Sequence, residues 1–424
     1  MVLNNIWKRR KEEIWLFLEL VVITVVAWVV IDPAVVNLYY RSLPIGYDTD
    51  RLVYAEGKAL YNGLVDRDQL MNRLRAVDGV ENCTYYEDQY SSISSKYSSS
   101  EVLCYEQDTI DLPKVAFTPD CHFFETYGLR PLPGSPSAEE LSKIDDKSGQ
   151  AVLSESGAKV LFGTTEGVVG RHFQYINYWN QGEKQDLTVA GVVADVQRLR
   201  YYSIHSSIYR PDDSGTRPHI IIRLKRGMDP AKYLEEHARD IHETANAGSF
   251  RINKIMPYEE FIHQEELEDR VPQEVSTNIV LALFFLINLS LAVIGTVWLQ
   301  AKRRTEECGV RRAYGATKPR LLFSFLAEGA LMATVAVVIG CIIYLNYAHS
   351  GYESVGGYEQ FNMYQPSYNA APLSDLTWVD YFWPHFLIVS AVVYIIILCT
   401  VLIGTAIPTL KILGTKITDA LREE

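Results

Sequence analysis

RRTEECGVRRAYGATKPR, residues 303–320, lies between two apolar runs, residues 278–299 and 321–345. Each run is about as long as a helix needs to cross roughly 30 Å of hydrocarbon at 1.5 Å per residue. So short a connection makes the two runs consecutive membrane crossings. Its cationic residues, Arg303, Arg304, Arg311, Arg312, Lys318 and Arg320, follow Lys302, and such a concentration marks a loop on the cytoplasmic side.

Two further runs have the same character, IWLFLELVVITVVAWVVI at residues 14–31 and residues 384–407. The first follows Lys8, Arg9, Arg10 and Lys11, but its apolar core is too long for a signal peptide and no small-x-small cleavage site follows, so it reads as a retained anchor. The connection 346–381 has no Lys or Arg. The expected order is a cytoplasmic segment 1–13, helix 14–31, an outer domain 32–277, helix 278–300, a cytoplasmic loop 301–320, helix 321–345, an outer loop 346–381, helix 384–407 and a cytoplasmic tail 408–424. Both termini are expected in the cytoplasm.

The outer segment, residues 32–275, holds 26 Lys and Arg against 39 Asp and Glu, a net of −13 in a chain of −12. So acidic a surface disfavours nucleic acid, whose phosphates need cations opposite them. The segment reads as a folded α+β domain. In VDRDQLMNRLRAVDGV, Asp66 caps a helix whose Leu70, Leu74 and Val77 share a face, and a strand-like VENCTYYEDQY follows. HIIIRL, then Asp229–Pro230 as a cap and first turn, and a helix through Leu234, Ala238 and Ile241 before FRINKIM repeat the pattern. Two β-α-β units thus flank an insertion at about 108–215, with strands KVAFT and LTVAGVVADV. Acidic FIHQEELEDRVPQE leads into the second crossing as a helical stalk.

The chain lacks GxxxxGK[ST], HExxH, GxSxG and CxxC, so nucleotide hydrolysis, zinc hydrolysis and serine-nucleophile chemistry are not expected of it. No metal site is expected from its scattered histidines. Glu19 and Glu328 lie inside apolar runs, each one or two turns from the cytoplasmic end, where a carboxylate pairs with basic loop residues. Cys83, Cys104 and Cys121 fall in the outer segment, where a disulfide persists. A hairpin of VENCTYYEDQY with SEVLCYEQDTI, turning near Ile93 and Ser94, sets Cys83 opposite Cys104 and allows a bond between them; Cys121 as the partner, or three free thiols, are the alternatives.

Charge bias explains the bases of the 303–320 loop but not its fixed glutamate and glycines. Arg304, Thr305, Glu307, Gly309, Val310, Arg311, Arg312, Ala313, Gly315 and Ala316 resemble R-T-x-E-I-G-[IV]-R-[RK]-A-[LI]-G-A, the loop of FtsX-like permeases of the MacB type. Glu306, Cys308 and Tyr314 depart from it. FFETYGLRPLPG, AVLSESGAKVLFG, VVGRHF and LTVAGVVADV resemble the family's periplasmic core domain, FLAEGALMA its third crossing, and Pro408, Ala420, Leu421 and Arg422 its ending. The tail lacks the Arg-Ala pair usual after that proline and has Ile417 where a second proline is common.

The resemblance implies a four-helix membrane protein with a large α+β extracytoplasmic domain between the first and second helices. It also implies that the loop is a coupling helix for a separate ABC ATPase, which binds the ATP and Mg while this chain carries no cofactor. The implied function is a permease subunit, paired with an identical or different second subunit in membrane lipid, that transmits ATPase motion to the outer domain for export or extraction of a peptide, toxin or lipid-anchored protein, with or without a periplasmic adaptor. A lipoprotein-releasing permease and an FtsX-like regulator of an external cell-wall hydrolase are the alternatives.

Overall fold

The computed structural model describes residues 2–59, 67–86, 93, 100–177, 182–197, 200, 206–212, 219–246, 250–268, 270–299, 308–351, 378–379 and 382–414. They fall into two units, one formed by residues 2–38, 273–299, 308–351, 378–379 and 382–414 and the other by the described residues of 39–272.

The first unit is helical. Four helices are long and apolar enough to cross a membrane: α1 (Val2–Ser42), α8 (Val271–Leu299), α9 (Lys318–Gly351) and α10 (Phe382–Gly414). Leu20 and Trp28 of α1, Leu289 and Val293 of α8, Ala333 and Val337 of α9, and Val389, Val393 and Ile397 of α10 share one core. Lipid tails are as apolar as these side chains, so close packing rather than escape from water joins the helices. Small residues permit that closeness. A Cβ on Gly340 would lie 2.6 Å from Thr24 Cβ, and one on Gly404 would lie 2.9 Å from Val293 Cγ1. Lys411 Nζ sits 4.4 Å from the centre of the Trp298 ring, a cation–π contact between α10 and α8.

The second unit is the α+β domain between α1 and α8. Strands β1 (Leu52–Ala59), β2 (Val80–Tyr86), β9 (His219–Leu224) and β10 (Phe250–Pro257) form an antiparallel sheet in the order β10-β1-β9-β2. Helices α2 (Arg67–Arg75) and α6 (Pro230–Ala245) cover it through Leu70, Met71, Leu74, Tyr233 and Ile241. Asp229 caps α6 by accepting from the Lys232 amide at 3.0 Å, with Pro230 in the first turn.

Between β2 and β9 the chain closes a six-stranded barrel, β3-β4-β8-β5-β7-β6, from β3 (Ser100–Tyr105), β4 (Asp108–Phe117), β5 (Gln150–Ser154), β6 (His172–Asn177), β7 (Glu183–Val193) and β8 (Ile208–Pro211). The inserted module therefore begins with β3, earlier than residue 108. Two residues, Glu106 and Gln107, join β3 to β4, and Glu106 takes φ +56° there. So tight a turn makes β4 the partner of β3.

This corrects the hairpin expected between VENCTYY and SEVLCY. Cys83 lies opposite Ile222 in the sheet, whereas Cys104 lies opposite Thr109 and Gln174 in the barrel. Neither is disulfide-bonded, nor is Cys121, which shares the packed cluster of Cys83. Burial pushes the Cys83 thiol up to about 12.

Sheet and barrel share an aromatic core that includes Tyr54, Tyr86, Phe117, Phe123, Phe124, Tyr127 and Tyr209. Helix α7 (Tyr258–Glu268) joins that core through Tyr258 and Ile262, and Phe261 stacks on Tyr54 with ring centres 3.8 Å apart. The acidic segment expected to be a stalk is, over α7, part of the domain's packing.

Candidate functional site

Residues 308–313 form a helical turn just before α9. Gly315 ends it at φ +91°, a conformation that costs glycine little and other residues more. The Gly315 amide donates to the Arg312 carbonyl at 3.0 Å and the Ala316 amide to the Arg311 carbonyl at 3.0 Å, so glycine lets the chain reverse while carbonyls at the turn's end stay bonded.

One side of this turn is anchored. Cys308, 3% exposed, packs with Leu321 and Phe325 of α9 and Ile412 and Leu413 of α10, and Ala316 lies against the same group. Gly309 is buried. The other side is open: Val310 and Tyr314 are exposed, Tyr314 at 89%, and Arg311 and Arg312 are half-buried beside them. The turn thus presents an aromatic, an aliphatic and two guanidinium side chains from a packed base. Arg304, Thr305 and Glu307, expected in the same site, lie outside the described residues, as do Ala420, Leu421 and Arg422 of the tail. Pro408 is buried within α10, one turn before the residues that anchor the loop.

Glu19 is half-buried on α1. Glu328 on α9 is 7% exposed, next to Gly329, where a Cβ would lie 3.2 Å from Thr405 Oγ1. The expected partners Lys302, Arg303 and Arg304 lie outside the described residues.

The other end of the bundle holds a group that no sequence pattern marked. Asp32, at the end of the apolar run of α1, and His385, near the start of α10, meet at 2.6 Å between Oδ1 and Nε2. Their residues are 5% and 3% exposed. His385 Nδ1 donates to the Val379 carbonyl at 3.1 Å. Trp28 stacks on Tyr344 of α9 at 4.1 Å and lies 6.0 Å from the His385 ring, while its Nε1 donates to Ser390 Oγ at 3.0 Å. An acid beside Pro33 at the edge of an apolar run was the available signal; its partner, 353 residues away, had none.

In the α+β domain two cross-links hold the chain where it arrives from α1. Gln197 Nε2 donates to the Tyr40 carbonyl at 2.9 Å, and Arg41 pairs at 3.0 Å with Glu266 of α7, which is 4% exposed. The barrel encloses a second buried pair, Arg210 with Glu101 at 3.2 Å, and Arg210 also lies over the Tyr175 ring. Burial pushes the Glu101 carboxyl upward while Arg210 opposes the shift. Among the described residues no group of His, Cys, Asp and Glu is arranged to hold a metal.

Residues 279–417 match the model of the FtsX-like permease C-terminal family. Over 232 residues, 52% of this chain, the sequence is 23% identical to the macrolide export ATP-binding/permease protein MacB of Aggregatibacter actinomycetemcomitans. The match takes in 33% of that protein, so this chain spans about one third of the curated relative's length. The crystal structure of the periplasmic region of MacB from Actinobacillus actinomycetemcomitans aligns with 52% of this chain and 94% of its own, at 18% identity and a TM-score of 0.32.

Proposed function

We propose, from the premise that this chain is an FtsX-like permease related in sequence to MacB, that it is the membrane subunit of an ABC transporter whose ATPase is a separate polypeptide docked on residues 303–320. The observation that carries this reading is the turn 308–313, seated on α9 and α10 through Cys308 while Val310, Tyr314, Arg311 and Arg312 remain at its surface. Arginine forks make charge-assisted bonds to carboxylates, and an exposed aromatic beside them is the usual kind of anchor in a protein interface. A load applied to this turn passes directly to α9 and α10, because its base is part of their packing.

In this reading the partner binds ATP and Mg, two permease chains work together, and closing of the ATPases moves the four helices and the outer domain for export or extraction of a peptide, toxin or lipid-anchored protein. The two-part α+β domain supports handling of a substrate outside the membrane over a purely regulatory role.

The test is the double variant Arg311→Glu, Arg312→Glu in the full chain. Lys302, Arg303, Arg304, Lys318 and Arg320 keep the loop cationic, so insertion persists. The ATPase that co-purifies with the wild-type chain from its native host is expected to be lost, and permease-stimulated ATP hydrolysis with it. Undiminished association in a correctly inserted variant overturns the docking assignment.

A further inference from the structure

One end of the barrel's interior is not apolar. Side chains alternate along a strand, so Glu101 lies on the same side of β3 as Leu103, Lys114 on the same side of β4 as Leu112, and Arg210 on the same side of β8 as Ile208. Leu103, Leu112 and Ile208 pack together in the barrel, and Tyr175 of β6 lies against them. The charged residues are therefore the next layer of the same interior. They converge there: Arg210 Nη1 donates to both oxygens of Glu101 at 3.2 Å, the Arg210 guanidinium lies 5.1 Å from the centre of the Tyr175 ring, and Lys114 pairs with Asp212 close enough for both to act on the Glu101 carboxyl. Glu101 and Arg210 are 5% and 8% exposed, while Lys114, Tyr175 and Asp212 are half-buried.

Stability alone does not call for such a layer, since a buried ion pair is seldom worth more than apolar side chains of the same volume. Its hydrogen bonding is also incomplete in one place. Glu101 occupies only Nη1 of Arg210. Nε and Nη2 carry the parallel N–H pair along the side of the guanidinium, and among the described residues neither has an acceptor, although Nε is buried. A buried donor left so is costly, and an acceptor brought to it removes the cost. Tyr175 covers the face of the guanidinium, so a ligand meets it in its plane, where a carboxylate matches two parallel N–H groups oxygen for oxygen. A phosphate dianion suits the site less, because Glu101 and Asp212 already set two carboxylates against the two cations.

We propose that this end of the barrel binds the C-terminal carboxylate of a peptide, with Arg210 gripping it through Nε and Nη2. A mostly buried site at the end of a closed barrel admits a chain end more readily than the middle of a chain. That the carboxylate belongs to a peptide rests on the export reading above; carboxylate binding itself stands apart from how the ATPase docks.

The experiment uses the full chain in lipid nanodiscs and saturation-transfer NMR, with N-acetyl-alanyl-alanine as the probe, either as the free acid or amidated at its C-terminus, and empty nanodiscs as the background. The free acid is expected to bind and the amide to bind at least about tenfold more weakly. Arg210→Lys keeps a charge beside Glu101 but loses the parallel N–H pair, and is expected to weaken the free acid about tenfold while the amide is unaffected. A wild-type chain that binds neither form, or both alike, overturns the proposal whatever the variant does, and so does an Arg210→Lys chain that binds the free acid as wild type does. Displacement of the free acid by inorganic phosphate more readily than by acetate overturns the choice of a carboxylate. The ATPase complex is scored on the same preparations, so lost peptide binding in a chain that keeps its ATPase counts against this site alone.

Discussion

The helical unit and the α+β domain keep their elements together by opposite means. In the helical unit the decisive contacts are gaps: Gly340 lets Thr24 and the Val21 carbonyl of α1 approach, and Gly404 receives Val293. In the α+β domain they are large side chains, with Phe123, Phe124, Tyr127, Tyr209 and Tyr258 all below 2% exposed around the junction of sheet and barrel. Water makes the difference. Burying an aromatic ring removes a large apolar area from water, so bulk is rewarded in the domain. A helix already in lipid gains little from bulk and much from fit. Polar groups do not divide in this way: the domain buries Glu101 with Arg210, and the helices bury Asp32 with His385.

The comparison predicts unequal penalties. The largest belongs to Gly340→Leu, because the first added carbon already collides with Thr24 and the Val21 backbone, neither of which can turn aside. Overpacking of this kind costs typically about 1–3 kcal/mol and occasionally more. Size-exclusion chromatography and thermal unfolding of the purified chain should report a strongly destabilised protein; wild-type stability would break the claim that close approach joins α1 to α9.

Arg223→Met tests the domain's side. Arg223 is 8% exposed and donates to the Glu125 and Thr126 carbonyls at 3.2 and 2.9 Å, while pairing with Asp48 and, at 3.6 Å, with Glu81. Asp48 and Glu81 are nearly half exposed and rehydrate when it is removed. The loss should therefore be that of the carbonyl bonds, about 1–3 kcal/mol, read by denaturant unfolding. A cost well above that would make the network, rather than the aromatic core, the domain's main support.

The smallest effect is expected at the cysteines. With its thiol buried and pushed up to about 12, Cys83 should resist alkylation of the folded protein at pH 8, and non-reducing peptide maps should recover Cys83 and Cys104 as free thiols. A linked Cys83–Cys104 peptide would require a different strand order.

That pairing shows where sequence stops being informative. The long helices were legible because apolar length is a local signal, and so was the chain reversal at Gly315 that ends the turn before α9. The cap at Asp229 was legible for the same reason. The partner of β2 was not, since it is β9, with Cys83 opposite Ile222 across the whole barrel insertion. A serine-rich connection between two strand-like segments imitated a hairpin, while the real turn after β3 is only Glu106 and Gln107. Asp32 and His385 show the same limit in the membrane. Each is an ordinary polar residue at the edge of an apolar run until folding brings the two together.

The position of α7 bears on how the domain would resist a pull on its two ends. The chain enters from α1 into β1 and leaves through β10 and α7 towards α8, and β1 and β10 are antiparallel neighbours with Val53 opposite Pro257 at the edge nearest both connections. Pulling the two connections apart would load this ladder as a zipper, breaking one hydrogen-bonded pair after another from that edge, the weakest way to stress a sheet. Across the mouth of the zipper lie Phe261 stacked on Tyr54 and Glu266 paired with Arg41. The two legs of the domain are thereby tied together on the side where such a pull would begin, and these ties must yield before the ladder does.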